Sequence, residues 1–112
     1  MTSGMAATIW HNPRCSKSRA ALALLQKAGA SVRVVKYLHT PPSRDELARL
    51  FARADISPVA GLRGDAPAEA RASDAAALDA MTADPALIER PLVETDKGVV
   101  LARPPERVRD LL

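Results

Sequence analysis

The sequence predicts an α/β fold: one mixed sheet of four strands with helices on its faces. Three observations predict it. The stretch up to Tyr37 reads strand, helix, strand. The middle carries helical spacing and helix caps. The last part holds two short apolar strands about a glycine turn, followed by a second apolar helical segment.

Each element has a local reason. Ala6–Trp10 is a short apolar run with β-favouring residues, stopped by the turn chemistry of His11-Asn12-Pro13. From Ser16 to Ala28 the spacing becomes helical, with Ala21, Leu22, Leu25 and Ala28 in phase and Gly29 as the stop. Val32–Tyr37 reads as the second strand, ended by Pro41-Pro42. Ser43-Arg44-Asp45-Glu46 is a capping box, in which Ser bonds the third helical amide and Glu reaches back. Leu47, Leu50, Phe51 and Ala54 then give a helix one apolar face. Ser57-Pro58 opens a short helix, proline suiting its first position. Gly61 to Ala72 is small, charged and weakly patterned, which predicts a mobile surface loop. Ser73-Asp74 caps a helix through Leu78 and Met81, and Asp84-Pro85 starts a turn. Leu92–Thr95 and Val99–Leu101 flank Asp96-Lys97-Gly98 as a β-hairpin. Val108, Leu111 and Leu112 suit a C-terminal helix.

A chain of 112 residues supports one domain, 1–112, with one core and a loose tail over 1–5. Aromatic residues are only 3%, so Leu, Val, Ile and Ala must fill that core. No apolar run approaches the roughly 20 residues of a membrane-spanning helix. The start has no basic segment followed by a long apolar one, so a cytoplasmic protein without a membrane partner is expected. The net charge of +3 comes from 16 basic residues scattered among 13 acidic ones, never three in a row. With so few aromatics, that excludes a nucleic-acid surface. A single cysteine excludes an internal disulfide and a cysteine-rich metal site. Any redox work by this thiol needs a sulfur from another molecule.

The chemistry concentrates in His11–Arg19, between the first strand and the first helix. Ligands of open α/β sheets bind beyond the carboxyl ends of strands, and a helix start offers free amides and a positive dipole end. Cys15 placed there is expected to be an ionised nucleophile, since helix N-termini and nearby cations bring a thiol from about 8.5 to roughly 3.5–7.5. His11, Arg14, Lys17 and Arg19 are the nearby cationic candidates, with His11 acting by charge or hydrogen bonding. Cys15-Ser16-Lys17-Ser18 has the Cys-x-x-Ser spacing of a one-thiol redox site. The interval from Cys15 to Arg19 is too short for a phosphatase loop. His39, beside Pro41-Pro42, reads as a solvated turn residue.

Thr8–Arg19, Tyr37–Leu47, Glu89–Val93 and Ala102–Val108 together resemble, in order and across nearly the whole chain, the ArsC family of glutaredoxin-coupled arsenate reductases. The match is to its Asn-Pro-Arg-Cys-Ser-Lys-Ser subgroup. The resemblance implies a thioredoxin/glutaredoxin-like sheet with a helical insertion, and a cis proline at Pro91 before the third strand. It implies an oxyanion site of Arg63, Arg90 and Arg103, with His11, Ser18 and Arg19 stabilising the Cys15 thiolate. Arginine suits that task, because its planar fork grips two oxygens of a tetrahedral anion. The implied activity is reduction of arsenate, or a similar small oxyanion, to arsenite through a covalent thiol–arsenic intermediate. Glutathione serves as co-substrate, glutaredoxin as partner, and no cofactor or metal is bound. Ser16-Lys17 stands where the family's arsenate reductases usually carry Gly-Thr, so a thiol protein for another oxyanion or mixed disulfide is the alternative on the same fold. An Spx-like adaptor ranks lower, for want of a Cys-x-x-Cys switch.

Overall fold

The computed structural model describes residues 5–112; residues 1–4, and with them most of the expected tail, lie outside the described residues. Met5 is already tied in, its carbonyl accepting the Ser31 N–H at 2.8 Å. The elements are β1 (Ala6–Trp10), α1 (Ser16–Lys27), β2 (Ser31–Val35), α2 (Arg44–Ala54), α3 (Asp74–Ala83), β3 (Leu92–Thr95) and β4 (Gly98–Leu101). Short 3-10 segments cover Val59–Gly61, Ala68–Arg71 and Pro85–Leu87, and a longer one covers Pro105–Leu111.

The sheet order is β2-β1-β3-β4. β1 runs parallel to β2, with Ala6 opposite Ser31 and Trp10 opposite Val35. β3 is antiparallel to both β1 and β4. This is the expected mixed four-stranded sheet, with a helical insertion between β2 and β3. Alternation along the strands splits the core in two. Ala7, Ile9, Val93 and Val100 face Ala21 and Leu25 of α1 and Val108 and Leu111 of the C-terminal segment. Trp10, Leu92 and Val99 face Leu47, Leu50 and Phe51 of α2 and Leu78 and Met81 of α3. Each buried Val, Leu, Ile, Phe or Met among them contributes about 1.5–3 kcal/mol. Arg49 also clamps α2 to the sheet through a two-pronged pair with Glu94, at 2.6 and 2.9 Å.

α1 ends as its sequence predicts. Gly29 has φ +83°, Ala30 N–H bonds Leu25 O at 3.1 Å and Gly29 N–H bonds Gln26 O at 3.0 Å, a complete Schellman motif. Four expectations change. β2 stops at Val35, because the Lys36 carbonyl accepts the N–H groups of His39 and Thr40 at 2.9 Å and turns the chain. Tyr37 is thereby folded into the core, 2% exposed. The capping box at α2 is half made. Ser43 Oγ accepts the Glu46 N–H at 3.1 Å, but the Glu46 carboxylate goes to Arg49 at 2.6 Å. The C-terminal helix is 3-10 rather than α.

The largest change is in Gly61–Ala72, which packs as part of the insertion. Gly61, Leu62 and Ala70 are buried, and Ala68–Arg71 forms a 3-10 turn. Gly61 lies so close to the Phe51 ring that an added Cβ would strike it. Its backbone joins the chain before β3. Leu62 bridges Ile88, Glu89 N–H donates to Gly61 O at 2.8 Å, and Arg63 N–H donates to Leu87 O at 2.9 Å. Among the described residues no helix is long and apolar enough to cross a membrane, and no cluster of three or more His, Cys, Asp or Glu is arranged to hold a metal.

Candidate active site

The His11–Cys15 loop leaves the carboxyl end of β1. His11 N–H extends the parallel ladder to Val35 O at 2.8 Å. Asn12 then builds the turn, its side-chain Oδ1 accepting the Arg14 N–H at 3.0 Å and its carbonyl the Cys15 N–H at 3.0 Å. Cys15 is the N-cap of α1, extended at φ −92° and ψ 122°. Its carbonyl accepts the Arg19 N–H at 3.0 Å, the first bond of the helix. The thiol is half-buried and free.

Burial alone would push the Cys15 thiol up. The N–H groups of Ser18 and Lys17, aimed at the sulfur, and the charges of Arg90 and Arg103 outweigh it and hold the thiol below its ordinary value. The thiolate is therefore favoured by two helix amides and by two arginines distant in sequence.

Strand register brings those arginines in. Trp10, the last residue of β1, lies opposite Leu92, and Leu92 lies opposite Leu101. Ala102 N–H donates to Pro91 O at 2.8 Å, continuing that ladder. Arg90 and Arg103 thus leave neighbouring strands at the end of the sheet where the Cys15 loop begins. Both precede cis peptide bonds, Arg90–Pro91 and Arg103–Pro104. The second was not expected from the sequence. Arg103 Nη1 donates to Arg90 O at 3.0 Å. Arg90 Nε is buried without a partner. Arg63 lies near enough to pull the Tyr37 phenol down, and its Nε lies 3.6 Å from Asp65.

The cations expected on the loop itself sit differently. Arg14, Lys17 and Arg19 are exposed. Arg19 donates to the Pro13 carbonyl at 2.9 Å and so ties the loop to α1. His11 is buried, and burial, with Lys36 and Arg19 nearby, holds its pKa below the ordinary value. The ring is neutral near pH 7, so it offers a hydrogen bond rather than a charge. Its Nδ1 lies 2.6 Å from Ser18 Oγ. That hydroxyl also accepts the Asn12 N–H at 3.1 Å, so one oxygen ties both loop residues to α1. Ser18, fully buried, thus fixes the loop with its side chain while its amide serves the sulfur.

With this geometry, comparison with known proteins is decisive. A model of the ArsC family matches residues 10–111. The chain belongs to the ArsC family. An arsenate reductase of Escherichia coli is 43% identical over 112 residues, covering 94% of this chain and 79% of that protein. Arsenate reductase ArsI2 of Synechocystis is 43% identical over 111 residues, covering 93% of this chain and 79% of that protein. The solved arsenate reductase of Vibrio cholerae superposes with a TM-score of 0.90 at 40% identity, over 98% of this chain and 100% of that one.

Within this ArsC-family site, two neighbours went unread in the sequence. Tyr37 is buried beside Arg90, and burial pushes its phenol above the ordinary value against the pull of Arg90 and Asn12. It stays protonated and lies close enough to sense Cys15 and Arg63. Glu89 places one carboxylate oxygen between the two arginines. Neither residue has a motif of its own. Its place next to Arg90 in the sequence is the only hint of Glu89, and Tyr37 was hidden by its reading as a strand residue.

Proposed function

We propose that this protein reduces arsenate to arsenite, with Cys15 as nucleophile, glutathione as co-substrate and glutaredoxin as the partner that restores the thiol. One observation carries the reading: a thiol favoured as thiolate at a helix start, with Arg90 and Arg103 drawn to the same end of the sheet by strand register. Relatives named arsenate reductases at about 40% identity support the substrate.

The arsenate oxygens pair with Arg90 and Arg103, and the unpartnered Arg90 Nε is one donor ready for them. Arg63 closes the site from the ladder beside Glu89. The thiolate attacks arsenic, an S–As bond forms, and a hydroxyl leaves as water after taking a proton. The sulfur of glutathione then attacks arsenic, and a second hydroxyl leaves as water. A glutaredoxin thiol takes that glutathione sulfur away as a mixed disulfide and leaves two electrons on arsenic, and water then breaks the S–As bond, releasing arsenite and the Cys15 thiol. The chain's single cysteine agrees with this route, since it holds no second thiol to form a disulfide. His11, Ser18 and Arg19 hold the loop, and Pro91 sets the direction from which Arg90 enters.

The test is arsenite production by purified protein. Turnover is expected only with arsenate, glutathione and glutaredoxin together. Absence of arsenite under those conditions, with Cys15 still reactive below the ordinary thiol range, would overturn the substrate.

A further inference from the structure

Glu89 is the acidic group facing the arginine pair. Its Oε1 lies 3.6 Å from Arg90 Nη1 and 3.5 Å from Arg103 Nη1, so one oxygen stands between two guanidiniums. The same oxygen accepts the Arg90 N–H at 3.3 Å, while the Glu89 N–H is anchored on Gly61 O at 2.8 Å. The carboxylate is about four-fifths buried, its side chain 22% exposed, and Arg90 is 16% exposed. At such burial the charges are weakly screened. Two guanidiniums turned toward one anion site repel each other, and a carboxylate between them offsets that repulsion. It also subtracts from the positive potential that both the thiolate and an incoming oxyanion feel.

We propose that Glu89 is a positioning residue of this site, whose charge, acting through Arg90 and Arg103, sets how strongly that pair attracts anions and ionises Cys15. This rests on the oxyanion reading of the arginines given above. Its effect is graded by charge. A dianion gains more than a monoanion when the carboxylate is neutralised, so Glu89 biases the site against small divalent anions that bind by charge alone.

The experiment compares wild type, Glu89→Gln and Glu89→Asp by two measurements that need no turnover. The first is the rate of Cys15 alkylation by iodoacetamide across pH. The second is protection of Cys15 against that reagent by inorganic sulfate. Glu89→Gln keeps the shape and removes the charge. It is expected to raise the alkylation rate about threefold at pH values below the thiol's midpoint, and to lower half-protecting sulfate about threefold. Glu89→Asp keeps the charge and returns both readings toward wild type. Unchanged readings in Glu89→Gln, or slower alkylation with weaker sulfate protection, would overturn the proposal, since loss of a purely structural tie lets the arginines drift from the sulfur. Sulfate that protects none of the three proteins would instead defeat the oxyanion reading, while the alkylation profile would still decide the role of Glu89.

Discussion

At the start of α2 the Ser43 hydroxyl accepts the Glu46 N–H at 3.1 Å, and Asp45 and Glu46 fill the first turn. The start of α3 repeats the device, with Ser73 accepting the Ala76 N–H at 3.0 Å and Asp74 behind it. At the start of α1 a cysteine holds the same position, closes no side-chain cap, and no acid follows in the first turn. Every helix begins with unpaired amides and a positive dipole end. Two helices of this protein satisfy both internally, which stabilises the fold. The third leaves its amides to a sulfur, which is chemistry kept at some cost in stability. The same physical groups make a cap in one place and a seat for a thiolate in another, and the differences are one atom at the N-cap and an acid in the first turn.

Exchanging that atom should have the largest effect. Cys15→Ser turns the α1 start into an ordinary cap. Arsenite production should vanish, while urea unfolding at pH 5 should show stability equal to wild type or higher by about 0.5–1 kcal/mol. The pH dependence sharpens this. The folded thiol titrates below the unfolded one, so between the lowered value and about 8.5 the unfolded chain binds more protons, and stability rises with pH through that window. Wild type should therefore gain on Cys15→Ser from pH 5 to pH 9, and lose that gain as pH falls through the lowered value. A flat difference between the two proteins would mean that the fold does nothing for the thiolate.

Next come the closed helix starts. Ser43→Ala or Ser73→Ala should each cost about 1 kcal/mol in denaturant unfolding and leave the Cys15 alkylation profile in place. A displaced profile would show that the helix starts are not independent. Smallest is Lys17→Glu, which gives exposed α1 the acid that α2 and α3 already carry. Stability should rise by about 0.3–1 kcal/mol. The thiol should titrate higher, because an added negative charge disfavours the thiolate, and the rate–pH profile should move toward alkaline pH. Stability and reactivity moving together would break the contrast.

Local signals read well in this chain. The β1–α1–β2 unit, the Gly29 stop, the Ser43 and Ser73 caps and the β3–β4 hairpin all rest on contacts within a few residues. So does Cys15 at a helix start, and the structure places it there. What escaped depends on partners far along the chain. Gly61–Ala72 looks like a loop because its order comes from Phe51 and Ile88, not from its own periodicity. Of the cations expected near the thiol from the sequence, Arg14, Lys17 and Arg19 are exposed and His11 is buried, while Arg90 and Arg103 arrive by register from the far hairpin. Arg90 and Arg103 were reached through family resemblance alone. Tyr37 was read as a strand residue because nothing local shows that the Lys36 carbonyl ends the strand early.

The short ladder between residues 61–63 and 87–89 has one more effect. It closes the helical insertion into a loop with its neck beside Arg90, so that Arg63 and Glu89 stand at the two sides of that neck. The approach of Gly61 to the Phe51 ring and the Leu62–Ile88 bridge thus fix where the backbone at residue 63 stands relative to residue 89, so a change in those apolar residues, far from the sulfur, reaches the arginines through the chain itself.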